Sequence, residues 1–250
     1  MGANIDGPYI LDETDDFAVV FKPPRLHCAP LADGDGDTLL EWYAKVFPSV
    51  MELSGWKEGE GGLLHRLDFE TQGLVLFAKN QQALDHLMAL QDEGNFVKEY
   101  CAICRKASVP PGFPPPPFDQ SPPLDQGFAI ESFFRPFGPG RKQVRPVLGE
   151  DKYRNIAKGK GNYYRTEIAD CTSANELYNF TARLRRGFRH QLRCHLAWIG
   201  CPVLNDPLYG QSSADGFLAL RSTALVFPDP FSGDLREYRI APLEMFENSL

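Results

Sequence analysis

Residues 62–79 read GLLHRLDFETQGLVLFAK, and this stretch limits what the chain can fold into more than any other. A short apolar lead, Leu63 and Leu64, runs into four residues with polar chemistry, His65, Arg66, Leu67 and Asp68. A turn-prone Glu70-Thr71-Gln72-Gly73 follows, then the apolar run 74–78. That run, bounded by Gly73 and Lys79, has the length and flanks of a buried strand. Asp68 is therefore predicted on a loop held by buried structure on both sides, where reactive groups are disproportionately found. An isolated Asp would equally serve to bond local backbone at a turn, so its meaning depends on the rest of the chain.

Flanking segments predict short strands at 9–11, 17–21, 96–104, 127–133, 163–171, 177–184, 218–227 and 235–240. Three segments have helical spacing. Residues 38–47 bring Leu39, Leu40, Tyr43 and Val46 to one side behind a capping Asp37. Residues 81–92 carry Leu84, Leu87 and Met88 behind Asn80 and stop at Gly94. Residues 188–199 carry Leu192, His195, Leu196 and Ile199 and close at Gly200 and Pro202. Residues 109–123 are too rich in proline for a helix or a central strand, so they are read as a crossover between two halves of one sheet. Strands followed by isolated helices predict α+β and not alternating βαβ. The whole of 1–250 is expected to be one domain, its two sub-halves joined near 107–126.

No segment approaches the roughly 18 consecutive apolar residues of a membrane span, and the acidic N-terminus lacks the pattern of a signal peptide. Six cysteines at 28, 101, 104, 171, 194 and 201 follow no disulfide-framework spacing, which fits a reducing, cytoplasmic setting. Neither Cys101–Cys104 nor the group His190, Cys194, His195 and Cys201 has a common zinc spacing, so no metal is expected. The net charge of −7 argues against a generally adhesive nucleic-acid binder. Its distribution argues otherwise: residues 141–193 hold 13 Lys/Arg against 5 Asp/Glu, and the remainder 13 against 28. A local basic segment in an acidic chain is what a localised polyanion site requires, although a solvated basic loop looks the same.

Taken in order, the motifs resemble the RluA-type family of RNA pseudouridine synthases. DDFAVVFKPP (15–24) is similar to its first strand and Lys-Pro turn, and HRLDFETQGLVLFAK (65–79) to its central motif. KEY (98–100) resembles its Lys-x-Tyr motif, and GFRHQLRCHLAWIGCPVLNDPLYG (187–210) its third signature. RKQV (141–144) and Arg165-Thr166-Glu167 also fit. The resemblance implies a bent, mixed, mostly antiparallel sheet flanked by helices around a central cleft. It assigns catalysis to Asp68, Tyr100 and Arg193, with Arg193 paired to the aspartate. Departures from the family pattern are Arg25 and Asn205 where glycine is usual, Gln72 where serine is usual, and Phe188-Arg189 within the third signature. Too few residues precede the core for the N-terminal RNA-binding module of many relatives.

The implied reaction moves uracil from a nitrogen to a carbon linkage on the same sugar, without redox change, so no cofactor is expected. A carboxylate can act as nucleophile or assist removal of a sugar proton through a glycal-like intermediate, and the sequence leaves both open. Burial alone would raise its pKa, and Arg193 would offset that. Tyr100 would stack on the uracil and carry a hydroxyl near the proton lost from carbon 5. Arg66 would fill the gap left by a flipped nucleotide. Arg141, Lys142, Arg145, Arg185, Arg186 and Arg189 would form the phosphate-facing wall, with His190 positioning backbone. The expected partner is tRNA or rRNA, with no membrane and no obligate protein partner. Two other readings are a catalytically silent RNA-binding relative and a carboxylate glycoside hydrolase, although no second acid stands out to partner Asp68.

Overall fold

The computed structural model describes residues 7–30, 37–118, 126–148, 163–210 and 216–244. In chain order its strands are β1 (Tyr9–Glu13), β2 (Phe17–Lys22), β3 (Gln72–Ala78), β4 (Val97–Arg105), β5 (Phe128–Phe137), β6 (Gln143–Val147), β7 (Tyr164–Ala174), β8 (Leu177–Leu184), β9 (Leu220–Pro228) and β10 (Leu235–Arg239). The helices are α1 (Leu39–Ala44), α2 (Gln81–Glu93) and α3 (Gln191–Trp198). Few helices on a mixed sheet make the fold α+β. The chain gathers into two compact units, Met1–Lys98 with Arg221–Ala241, and Glu99–Leu220 with Pro242–Leu250.

In the first unit the strands run β1-β2-β3-β9, with β10 paired antiparallel to β9. Thr14 turns β1 into β2: its hydroxyl accepts from the Phe17 N–H at 3.0 Å. Every residue of β2 is buried, as a strand flanked by β1 and β3 demands, with Val19 opposite Leu76. β3 and β9 are parallel and meet at Gly73 and Ser222. A Cβ on Gly73 would lie 2.2 Å from the Ser222 carbonyl oxygen, so the strand closes there only on glycine. Helix α2 follows β3 as the sequence predicts. The Asn80 side chain accepts from the Ala83 N–H at 2.8 Å, and Gly94 ends the helix in left-handed geometry, φ 81°. Ala83, Leu84 and Leu87 then join Leu64, Leu76, Phe96 and Phe227 in the core. Helix α1 starts one residue later than predicted. Thr38 replaces Asp37 as the cap, because Glu41 returns a hydrogen bond to the Thr38 N–H and completes a capping box.

In the second unit the order is β4-β8-β7-β5-β6. β7 turns into β8 at Asn175 and Glu176, with φ 51° and 64°, the left-handed pair that suits a tight hairpin. β6 was not predicted, since QVRPV reads as a polar loop with a proline. As an edge strand against β5 it tolerates Pro146. Helix α3 is buried on all sides, not amphipathic as its spacing suggested. Its polar residues are therefore matched internally. Gln191 donates to the Arg165 carbonyl and Thr166 hydroxyl, and the His195 ring nitrogens contact Ser132 and Thr166.

The proline-dense stretch, expected to join two sub-halves, lies within the second unit; its residues 119–125 are outside the described residues. The two units divide in sequence at Lys98/Glu99, Leu220/Arg221 and Ala241/Pro242. Within the second unit, Trp198 Nε1 donates to the Pro114 and Pro115 carbonyls at 3.1 and 3.0 Å. Arg145 Nη2 reaches the Pro111 carbonyl at 3.3 Å. Proline keeps its acceptor although it has no N–H, so the stretch acts as a strap on this unit's core.

Candidate active site

The first unit holds the Asp68 loop at almost every residue. The Leu64 N–H donates to the Leu76 carbonyl. His65 Nε2 accepts from the Leu76 N–H at 3.3 Å, which places the proton of the neutral ring on Nδ1. Burial, and then the nearby Lys98 charge, push the His65 pKa well below its usual value. It stays neutral and positions backbone. Leu67 is clasped by one thiol: its N–H donates to Cys28 Sγ at 3.2 Å, and Cys28 Sγ donates to its carbonyl at 3.4 Å. The Thr71 N–H closes a turn onto the Asp68 carbonyl at 3.1 Å. Lys22 Nζ donates to the carbonyls of Pro23, Leu26 and Phe69. Burial brings the Lys22 pKa down to about 8, opposed by Cys28, Asp68 and Glu70. Asp68 itself is half-buried. Arg66 is exposed and tied to Glu60 at 2.7 Å, so its charge stands at the surface with a fixed partner.

Tyr100 and Arg193 belong to the second unit. Tyr100 is buried in β4. Arg193 is not a surface arginine: its side chain is 3% exposed and pairs with a fully buried Asp206. Nε donates to Asp206 Oδ2 at 2.8 Å and Nη2 to Oδ1 at 2.7 Å, the fork geometry that suits guanidinium and carboxylate. Asp206 Oδ1 also accepts from the Leu208 and Tyr209 N–H groups. Sequence reasoning missed Asp206. Its signal was an acid inside the Asn-Asp-Pro turn of the same motif. His190, at φ 56°, precedes α3 and meets the Tyr209 hydroxyl at 3.2 Å. That hydroxyl also accepts from the Val144 N–H at 2.8 Å. His190 thus ties α3 to β6.

The basic segment divides. Arg141, Lys142, Arg185, Arg186 and Arg189 are exposed, and Arg189 Nη2 also bonds the Arg141 and Gln143 carbonyls. Residues 149–162 lie outside the described residues. Arg145 departs from the expectation of a phosphate-facing side chain. It is 4% exposed, its guanidinium 4.0 Å from the Phe137 ring centre and 4.3 Å from that of Phe113. Cation–π contact with these rings, and the strap carbonyl of Pro111, draw it inward.

The departures from the family pattern have local explanations. Arg25 and Asn205 occupy left-handed backbone at φ 60° and 58°, the conformation for which glycine is the default. Asn tolerates it well, and Asn205 Nδ2 bonds the Phe217 carbonyl. Gln72 Oε1 accepts from Arg221 Nε and Nη2 at 3.2 and 2.8 Å, fastening β3 to β9. Phe188 stacks on Phe134, with ring centres 5.0 Å apart and planes 3° off parallel. It serves packing there.

Residues 16–198 match the model of a family described as RNA pseudouridylate synthase. The chain is 29% identical over 249 residues to "Ribosomal large subunit pseudouridine synthase D" of Haemophilus ducreyi, a match that covers 94% of this chain and 66% of that protein. A protein of the same description from Zymomonas mobilis is 29% identical, with 86% of this chain and 60% of that protein covered. The chain thus spans about two thirds or less of the length of these relatives. Among solved structures it is similar to "Human RNA Pseudouridylate Synthase Domain Containing 4", at TM-score 0.62 and 18% identity, with 95% and 89% of the two chains covered. It is also similar to "Human RNA Pseudouridylate Synthase Domain Containing 1", at TM-score 0.58 and 19% identity, with 96% and 86% covered. These likenesses speak for the fold.

Proposed function

The chain belongs to the RNA pseudouridylate synthase family, and on that premise we propose that it isomerises uridine in RNA to pseudouridine with Asp68 as the reacting carboxylate. The observation that carries the proposal is the Asp68 loop. Backbone on both sides of the aspartate is fixed by buried partners, Cys28 on Leu67 and Lys22 on Phe69, while Asp68 as a whole is only half-buried. Such a rigid mount for one accessible acid is what positional catalysis needs.

In the proposed reaction the bond from the sugar to uracil nitrogen 1 breaks. The base turns, a bond forms from the same sugar carbon to carbon 5, and the carbon 5 proton leaves while nitrogen 1 gains one. Atoms and electrons balance within one nucleotide. Asp68 serves as nucleophile or as base toward the sugar. Tyr100 is assigned the uracil face and the proton step, and Arg193 a positive charge that complements the reacting carboxylate. Arg66 is assigned to the gap left by the flipped nucleotide. Arg141, Lys142, Arg185, Arg186 and Arg189 supply phosphate contacts, with His190 holding the backbone beneath them. The relatives' names make large-subunit ribosomal RNA the first substrate to try, with tRNA second.

The experiment is tritium release from carbon 5 of labelled uridine in transcripts of both RNAs. Wild type is expected to release tritium from one of them. A folded Asp68→Asn protein is expected to bind that RNA and release none, because the substitution keeps size and hydrogen bonding but removes the charge. Near-normal turnover by Asp68→Asn would refute the assignment. An inactive wild type that still binds RNA would favour the silent relative, and a released free base would favour the glycoside hydrolase.

A further inference from the structure

Immediately after Asp68, Phe69 shows 38% of its surface to solvent, on a loop whose other apolar residue, Leu67, is buried. A large apolar ring at such a place gains little stability from being there. It is nevertheless held still. Its carbonyl accepts from Lys22 Nζ at 3.2 Å, and its ring packs on His27 with centres 4.5 Å apart and planes 34° apart. His27 is itself anchored, its carbonyl accepting from the Leu39 N–H at 2.8 Å. Burial, with help from Lys22 and Arg66, lowers the His27 pKa, so the pair presents two neutral π systems.

The surroundings are polar and carry both charges, with Lys22, Arg25 and Arg66 beside Asp68, Glu70 and Glu60. Arg66 lies near enough to act on His27. Arg25 reaches Glu70, the residue after Phe69, at 3.6 Å with half of its side chain exposed. A protein partner would call for a wider apolar patch. One fixed aromatic step among arginines is instead the composition that binds an unstacked base and its phosphates.

Building on the RNA reading above, we infer that Phe69 and His27 form a stacking shelf for a nucleobase of the substrate strand, next to the uridine that reacts. The shelf takes a neighbour and not the reacting base, whose face is assigned to Tyr100. Phe69 directly follows Asp68 in the chain, and the same short loop carries both, so a base bound on the ring belongs to a nucleotide close to the reacting uridine. Because every base has a π face, the shelf orders the strand without reading a particular base.

The test uses substrate RNA carrying 2-aminopurine at single positions on either side of the target uridine, with fluorescence and dissociation constants measured for wild type, Phe69→Leu, Phe69→Trp and Asp68→Asn. Melting curves accompany each variant. Wild type should quench one flanking position. Phe69→Leu keeps apolar volume but loses the π face; it should lose that quench and bind about tenfold more weakly. Phe69→Trp should keep both, and so should Asp68→Asn, since stacking does not use the carboxylate. Wild-type quenching and affinity that survive in folded Phe69→Leu would overturn the shelf while leaving the RNA reading intact. A wild type that binds no RNA would overturn both.

Discussion

Arg193→Ala should destabilise the protein for reasons independent of any catalytic role. The substitution removes both donors to Asp206 and leaves a carboxylate whose side chain is 0% exposed. Breaking a buried ion pair from one side typically costs about 3–5 kcal/mol. Asp206 would keep two backbone N–H donors, from Leu208 and Tyr209 at 2.9 and 3.1 Å. These soften the loss and place the expectation at roughly 3–4 kcal/mol. At about 2–4 °C per kcal/mol for a chain of this size, Tm should fall by roughly 6–16 °C. Calorimetry and urea titration read the change, with Arg193→Met/Asp206→Leu as the control. Replacing both partners by apolar groups removes the stranded charge, so the double variant should recover part of the loss, short of all because two backbone donors lose their acceptor. An Arg193→Ala protein melting within about 2 °C of wild type, or a double variant less stable than the single, would refute the argument. Any activity lost in Arg193 variants has to be judged beside these curves.

Cys28→Ala should strip Leu67 of both thiol bonds, costing on the order of 1–3 kcal/mol and lowering turnover more than RNA affinity; equal amide exchange at Leu67 in wild type and variant would contradict this. Arg25→Gly should be neutral or stabilising by up to about 1 kcal/mol, because relief of left-handed strain outweighs a half-exposed pair to Glu70 at 3.6 Å; a clear loss in urea titration would count against it. Burial lowers the His195 pKa from 6.5 to about 3. The unfolded chain therefore takes up a proton there that the folded one refuses, so stability present above pH 6.5 should drain by about 1.4 kcal/mol per pH unit on the way down to pH 3. A His195→Gln variant with the same acid slope would show the loss to arise elsewhere. Burial brings Lys98 from 10.5 to about 8, so Lys98→Met should be more stable than wild type at pH 7, by up to about 3 kcal/mol, with the advantage shrinking between pH 8 and 10.5. An advantage that does not vary with pH would sink that explanation.

The parts of the fold legible in the sequence were those governed by near neighbours. The core run of β3 and the Asn80 cap and Gly94 stop of α2 depend on residues within a few positions of one another. The Asp68 loop was legible in the same way, as polar chemistry between two apolar flanks. β6 was not, because Gln143–Val147 becomes a strand only through its pairing with β5. The cap of α1 was displaced by one residue because Thr38, and not Asp37, could trade hydrogen bonds with Glu41.

Counting charges located the basic segment but could not say which way each arginine turns. Arg145 and Arg141 look alike in sequence, yet Phe113 and Phe137 draw the first inward. The same holds for the residues that depart from the family pattern. Gln72 finds its meaning in Arg221, 149 positions away, and Cys28 in the backbone of Leu67, 39 positions away. Propensity, periodicity and capping act over a turn of helix or a strand, so a sequence displays them directly. The partner of a buried charge is chosen by desolvation, which acts only once distant segments have closed around it.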